Sequence, residues 1–162
     1  MTRTILIPTD FTVDSLVAVK KILESEDGGR TKIVLFHGIF LSGSITDLLM
    51  FSKSKCLRRL ADQSYRDACE IIRNKFSSHL HSLHTELFTG HTAAAFRNFV
   101  EGNGADAIGL IDHFTYGRPS PQSMDVSGFI PDAGVPVIRV VAELPASTHG
   151  KNRLAALFSE TT

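Results

Sequence analysis

The chain has 162 residues, of which 17 are Lys or Arg and 17 are Asp or Glu, so its formal net charge is zero. This length predicts one domain that folds without a disulfide or a metal. Zero net charge argues against long-range attraction to nucleic acid or to an anionic membrane, and no apolar run approaches the roughly 18 residues that span a bilayer. Without a signal-peptide pattern at its start, we expect a soluble cytoplasmic protein with neither kind of partner.

The first half of the chain alternates short apolar runs with helical patterns. Residues Thr4–Thr9 and Lys32–His37 are continuous apolar runs that predict buried strands. Apolar residues at helical spacing lie between them, after a cap supplied by Thr12 or Asp10. The Asp27–Gly29 segment predicts the end of this helix.

A loop over Gly38–Ser44 leads into helical periodicity that extends to about Ser78, in which Leu48–Phe51 can form a separate short turn. Cys56 and Cys69 fall in this stretch. At about 100° per residue they would lie on nearly opposite faces of one helix, so they cannot bridge within it. We therefore expect two reduced thiols, as a cytoplasmic location favours.

Two further strands and a helix follow. A strand within Leu83–Thr89 has polar residues on its outer side, which predicts a sheet edge. Thr92–Asn103 has helical spacing, and Ala105–Ile111 predicts a fourth buried strand.

The last third of the chain begins with a long loop, His113–Gln122. Met124–Ala133 predicts a short helix limited by Pro131, and Val135–Val141 predicts the fifth strand. Leu154, Leu157 and Phe158 predict a terminal helix over residues 152–159.

This alternation of strands and helices predicts an α/β fold, with a parallel sheet and helices on both faces. Residues 1–142 form the predicted domain, and residues 143–162 form a C-terminal extension. In such a sheet, ligands bind beyond the carboxyl ends of the strands, where the strand order reverses.

Several short segments, in the right order over roughly residues 3–142, resemble the universal stress protein family. They are Ile5–Thr12, Val34–His37, Thr89–Thr92, Ala105–Ile108 and Val135–Ile138. The resemblance implies a five-stranded parallel sheet of order 3-2-1-4-5, the adenine nucleotide alpha hydrolase-like fold. It also implies a homodimer built through the Val135–Val141 strand, and many family members bind ATP.

The family's phosphate loop follows the fourth strand with two glycines three residues apart, a nine-residue spacer and a Gly-Ser or Gly-Thr pair. Glycines let backbone N–H groups approach the phosphates. Here Phe114 stands in place of the first glycine and Gly117 fits the second. Depending on the alignment, Ser127-Gly128 or Ser123-Met124 falls at the final pair.

Other residues of this loop also work against phosphate binding. Phe114 and Tyr116 would crowd the phosphates, and Pro119 and Pro121 have no N–H to donate. The sequence therefore predicts that no nucleotide is held in the family's manner, with ATP or AMP as the alternative cofactor.

The resemblance marks six candidate binding residues: Thr9, Asp10, His113, Gly117, Arg118 and Ser123. Asp10 matches an aspartate that contacts the nucleotide, but it can equally cap the first helix. His113 matches a histidine of the family or is a solvated loop residue. Arg118 meets an anion beside Gly117 or is likewise solvated.

A metal site is not expected at His79, His81 and His84, because on a strand the third would lie on the opposite face from the first two. Known catalytic motifs are missing too: the sequence has no nucleophile elbow, HExxH or dinucleotide fingerprint. A receiver domain would need an aspartate after the third strand and a lysine after the fifth, where Thr89 and Ala142 stand.

Two hypotheses remain. The preferred one is a non-catalytic stress-response or regulatory protein, acting as a homodimer with a degenerate nucleotide pocket. The alternative is a member that binds ATP or AMP, or hydrolyses ATP slowly, through an atypical loop.

Overall fold

The computed structural model describes residues 2–25 and 29–141, and these residues are built around one β-sheet. Its strands are β1 (Thr2–Pro8), β2 (Arg30–Ile39), β3 (Leu80–Phe88), β4 (Ala107–Ile111), β5 (Ser123–Met124) and β6 (Val137–Val140). Five of them run parallel in the order β3-β2-β1-β4-β6, and β5 pairs antiparallel with β2. The predicted order is confirmed, with β6 as the fifth parallel strand and β3 at an edge.

Helices connect the parallel strands. They are α1 (Val17–Ser25), α2 (Ile45–Met50), α3 (Lys53–Leu60), α4 (Gln63–Lys75) and α5 (Ala93–Gly102), with 3-10 helices at Val13–Leu16 and Ser127–Asp132. Within residues 2–25 and 29–141, no helix combines the length and apolar character needed to cross a membrane.

The sheet has a hydrophobic core on each face because neighbouring strand residues point to opposite sides. Ile5 and Ile7 of β1 belong to the core under α1 and α4, whereas Leu6 belongs to the core under α5 and the second 3-10 helix. The prediction of helices on both faces is therefore confirmed.

One close approach between a helix and the sheet depends on a glycine. A Cβ atom at Gly109 in β4 would collide with Ile22 Cδ1 of α1 and lie 3.3 Å from Ile7 Cγ1. The missing side chain lets α1 pack against β4.

The middle helical region differs from the prediction, because two helices, α3 and α4, stand where one helix was expected to carry both cysteines, while α2 overlaps the separate short turn foreseen at Leu48–Phe51. Ser52 accepts a hydrogen bond from the backbone N–H of Lys55 and starts α3, and Asp62 does the same for Tyr65 in α4. Cys56 and Cys69 therefore lie on different helices, and the argument from opposite faces of one helix was wrong. Both are buried free thiols.

The segment after β4 also differs from the prediction. Met124 belongs to β5, so the helix predicted over Met124–Ala133 is wrong in its first residues. Only the 3-10 helix at Ser127–Asp132 is present, and it contains Pro131. The predicted terminal helix and residues 26–28 of the predicted helix end lie outside the described residues.

Candidate functional site

A cavity of about 440 Å³ lies beyond the carboxyl ends of β1, β2 and β4. This is where the strand order reverses, since β1 has β2 on one side and β4 on the other. Its polar lining includes Thr9, His37, Tyr116, Arg118, Ser123 and Arg139. Its apolar walls include Phe36, Leu110, Ile111, Met124, Val126 and Ile130. Both the volume and the mixed lining are typical of small-molecule sites.

Asp10 uses its carboxylate within the protein. Its Oδ1 accepts hydrogen bonds from the backbone N–H and the hydroxyl of Thr12, which in turn caps the first 3-10 helix. Its Oδ2 accepts a hydrogen bond of 2.8 Å from the backbone N–H of Gly117. The residue is only 4% exposed and does not line the cavity. The structure thus places Asp10 in the capping turn and ties that turn to the loop after β4.

Gly117 lines the cavity, but its amide already has an acceptor. In a phosphate loop that amide would donate to a phosphate oxygen, whereas here it donates to Asp10. A Cβ atom at this position would lie 3.5 Å from Asp10 Oδ2, an ordinary contact. Space therefore does not require a glycine here.

His37 is the central polar group of the cavity, and the sequence analysis did not select it. It ends a buried apolar run and is 6% exposed. Its Nδ1 lies 2.7 Å from the Thr9 carbonyl oxygen and its Nε2 lies 2.8 Å from Ser123 Oγ. Because a carbonyl can only accept, Nδ1 carries the proton, and Nε2 accepts from the Ser123 hydroxyl.

Burial keeps this imidazole neutral. Desolvation lowers the pKa of His37, and the Thr9 hydrogen bond and the charge of Asp10 raise it by less. In the neutral ring, Nδ1 donates to the Thr9 carbonyl and Nε2 is left to accept from Ser123.

Gly38 allows β5 to reach β2. A Cβ atom here would lie 2.6 Å from Val126 Cγ1 and 2.9 Å from the Met124 carbonyl oxygen. The pairing of Gly38 with Met124 and of Ile39 with Ser123 brings the serine against His37. A glycine directly after the histidine that ends the predicted strand was the available sequence signal for this arrangement.

Ser123 lies in the cavity wall, as a candidate binding residue should, but its hydroxyl is also engaged. Besides donating to His37, Ser123 Oγ accepts from the backbone N–H of Ser120 at 3.1 Å. Its own N–H donates to the Ser120 carbonyl. The hydroxyl of Thr9 is used as well, by Ser15 and Tyr65, and burial raises the pKa of Tyr65.

The remaining two candidates lie at the mouth of the cavity. His113 has a left-handed backbone (φ 58°) and a side chain that is 93% exposed, 3.5 Å from the Asp112 carboxylate. Arg118 is exposed and lines the cavity. The pKa of Asp125 is lowered mainly by the Ser127 backbone N–H, with a smaller effect from Arg118.

Phe114 and Tyr116 close one side of the cavity. Their rings meet edge to face with centroids 4.7 Å apart. Burial raises the pKa of Tyr116 to about 12, and its hydroxyl, near the Ile111 backbone, has no hydrogen bond of ordinary geometry to any described residue. Across residues 2–25 and 29–141, no group of three or more His, Cys, Asp or Glu is arranged to hold a metal ion.

The sheet order and the position of the cavity define a nucleotide-binding-like α/β class. No protein-family model and no curated protein sequence matches the chain. Solved structures do match its fold. The universal stress protein UspA from Lactobacillus plantarum aligns with a TM-score of 0.51 at 14% identity, covering 85% of this chain and 97% of that one.

Two structures of proteins described as hypothetical are similar to the same extent. PH0823 has a TM-score of 0.51 at 19% identity, and the alignment covers 86% of this chain and 95% of PH0823. MJ0577 has a TM-score of 0.52 at 19% identity, and the alignment covers 87% of this chain and 96% of MJ0577. The chain thus has the universal stress protein fold, and the resemblance predicted from the sequence is confirmed for the fold.

Proposed function

We propose that the protein is a non-catalytic regulatory protein of the universal stress type, which acts as a homodimer and does not bind ATP in the family's manner. The observation that carries this proposal is the hydrogen bond from the Gly117 amide to Asp10 Oδ2. A carboxylate of the protein itself occupies the place of the anion that this amide would otherwise bind. A phosphate brought there would also meet the negative charge of Asp10.

The loop after β4 supports the same conclusion. Phe114 and Tyr116 fill the start of the loop with aromatic rings. Pro119 and Pro121 contribute no N–H groups. The loop therefore has few donors for a phosphate in place of the backbone N–H groups that the family's glycines would expose.

The proposal that the protein is not an enzyme rests on the arrangement around Ser123. Its hydroxyl donates to a neutral histidine, as a serine nucleophile does, but a backbone carbonyl stands where a carboxylate would stabilise the imidazolium. The Ser123 amide is engaged with Ser120 and is unavailable to a developing oxyanion. We therefore interpret this chain of hydrogen bonds as a latch between β2 and the loop after β4.

The homodimer is proposed to form through β6 within the Val135–Val141 strand. This strand is the end of the sheet and pairs only with β4 among the described strands. The Pro136 and Val140 carbonyls accept from β4, so the backbone groups of Val137 and Arg139 face the open edge. An open edge is a ready site for pairing with a second copy.

Light scattering on the full chain tests the dimer. The Arg139→Pro variant removes an edge N–H and should be a monomer, whereas Arg139→Ala should remain a dimer. A monomeric wild-type chain at micromolar concentration would refute this part of the proposal. A cytoplasmic location completes the proposal, supported by the free thiols Cys56 and Cys69.

The second candidate function is binding of ATP or AMP, with or without slow hydrolysis. It is favoured by the cavity at the strand reversal, with Arg118 and Arg139 in its lining and the Tyr116 hydroxyl unpaired among the described residues. Here the loop would have to rearrange to free the Gly117 amide.

Calorimetric titration with ATP and AMP distinguishes the two candidates. We expect no saturable micromolar binding to the wild-type chain. The Asp10→Asn variant removes the charge and leaves Gly117 without its carboxylate, so it should bind the nucleotide more tightly than wild type does. Micromolar binding by wild type that Asp10→Asn weakens would support the alternative.

A further inference from the structure

Four of the large apolar residues that are exposed in the described chain lie on one short helix, α2. In α2, Ile45, Leu48 and Leu49 follow helical i, i+3, i+4 spacing and are 74%, 50% and 78% exposed. Met50 is 78% exposed, and no residue of α2 is buried. We call Ile45, Leu48 and Leu49 the α2 face. Contiguous exposed apolar residues mark an interaction site rather than ordinary surface.

The next helix carries a cluster of cations. Cys56 is buried, and Leu57 and Leu60 pack beside it, which fixes the orientation of α3. Lys55, Arg58 and Arg59 lie on the opposite side at i, i+3, i+4 spacing and are all exposed. We call these three residues the basic face.

The acidic groups nearby do not neutralise this face. Between residues 44 and 60 the chain has four cations and one carboxylate, that of Asp47, which accepts from the Ser42 hydroxyl. Asp62 caps α4, and Glu86 is paired with Lys53. No ion pair between described residues involves a member of the basic face.

We propose that the α2 face and the basic face together dock on an anionic phospholipid surface. Apolar residues that enter the acyl boundary beside cations that reach the lipid phosphates are the combination that holds a protein at a membrane interface. A second copy docked face to face would bring two basic faces together, whereas anionic lipid complements them. This inference does not depend on the function proposed above.

The zero net charge of the chain does not oppose this docking. Interactions with a charged surface are screened beyond a Debye length of about 8–10 Å, so the local cluster decides the attraction rather than the total. The sequence-based expectation of no membrane partner used the total charge and the lack of a membrane-spanning apolar run, and neither describes a local cluster on the surface.

Co-sedimentation of the full chain with vesicles tests the proposal. The vesicles are phosphatidylcholine alone, or phosphatidylcholine mixed with phosphatidylglycerol. We expect binding to the mixed vesicles that weakens at high salt, and little binding to phosphatidylcholine alone.

Variants of each face should weaken the binding separately. Arg58→Gln with Arg59→Gln should lower the affinity about 25-fold, at about fivefold for each cation. Leu48→Ser with Leu49→Ser should lower it about tenfold or more. The matched controls are Arg66→Gln with Arg97→Gln, and Ile71→Ser, which change exposed residues elsewhere and should bind as wild type does.

Three results would overturn the proposal: no binding to the mixed vesicles, equal binding to both vesicle types, or equal losses in the control variants. If Leu48→Ser with Leu49→Ser instead dissociates a dimer in light scattering, without vesicle binding by wild type, the α2 face belongs to a second copy.

Discussion

The cavity at the carboxyl edge of the sheet and the α2–α3 surface treat their functional groups in opposite ways. In the cavity wall Ser123 donates to His37 and the Gly117 amide donates to Asp10 behind it, so polar groups suited to a ligand already have partners within the protein. On the α2 face the apolar side chains are exposed, and the basic face of α3 has no ion pair within the described residues. Polar groups at the position of a ligand site can bind a ligand only where they are not already hydrogen-bonded within the protein.

We expect the largest loss of stability from a larger side chain at Gly38, where β5 contacts β2. The Gly38→Val variant places atoms where Val126 and the Met124 carbonyl lie, which should separate β5 from β2. We expect a loss of about 3 kcal/mol in the free energy of unfolding by urea denaturation. Gly43→Ala is the control, because a Cβ there meets nothing within 4 Å. Equal stability of the two variants would show that β5 does not need this close approach.

Removing the Ser123 hydroxyl should lower the free energy of unfolding by less than Gly38→Val does. Ser123→Ala leaves the buried Nε2 of His37 without its donor, which should lower the free energy of unfolding by about 2 kcal/mol. Ser54→Ala, at an exposed position, should change it by less than about 0.5 kcal/mol. If Ser123→Ala left the free energy of unfolding unchanged, the latch would contribute nothing to the stability of the cavity wall.

The latch should also respond to pH. The pKa of His37 is lowered by burial, so the unfolded chain binds a proton that the folded chain does not. Stability from this residue is full above the unfolded value of about 6.5 and decreases as the pH falls from there towards the folded pKa. Urea denaturation at pH 7.5 and 5.5 should show a smaller difference for His37→Gln than for wild type. An unchanged difference would assign the pH response to other groups.

The smallest effect is expected on the α2 face. Leu49→Ser changes a side chain that is 78% exposed, so the free energy of unfolding should change by less than about 0.5 kcal/mol. A loss above about 1 kcal/mol by the same denaturation measurement would mean that this leucine is covered in solution, and the contrast between the two regions would not hold.

The parallel sheet could be predicted because β1 and β2 contain continuous apolar runs such as Ile5–Ile7 and Ile33–Phe36. Strands buried on both faces leave that pattern in the sequence. The strand order came from the resemblance to a known family, not from the pattern. Thr9, Gly117 and Ser123 were also chosen from that resemblance, and all three line the cavity.

The features that decide the state of the cavity were not predictable in this way. β5 has two residues, too few for any periodicity, and it depends on contacts between Gly38 and residues far along the chain. The bond from Gly117 to Asp10 joins residues 107 positions apart. In the sequence, His37 looks like the end of an apolar strand. Its two hydrogen-bond partners belong to other elements, so the residues around His37 give no sign of them. The clustering of cations on α3 is not visible in the net charge of the whole chain, which is zero.

The most direct test of the central claim, that the protein's own carboxylate replaces a bound phosphate, is to look for nucleotide carried by the protein itself. The full chain is purified without added nucleotide and denatured, and the released small molecules are examined by absorbance and mass spectrometry. We expect no adenine nucleotide to be released. Release of ATP or AMP in an amount equal to the protein would contradict it.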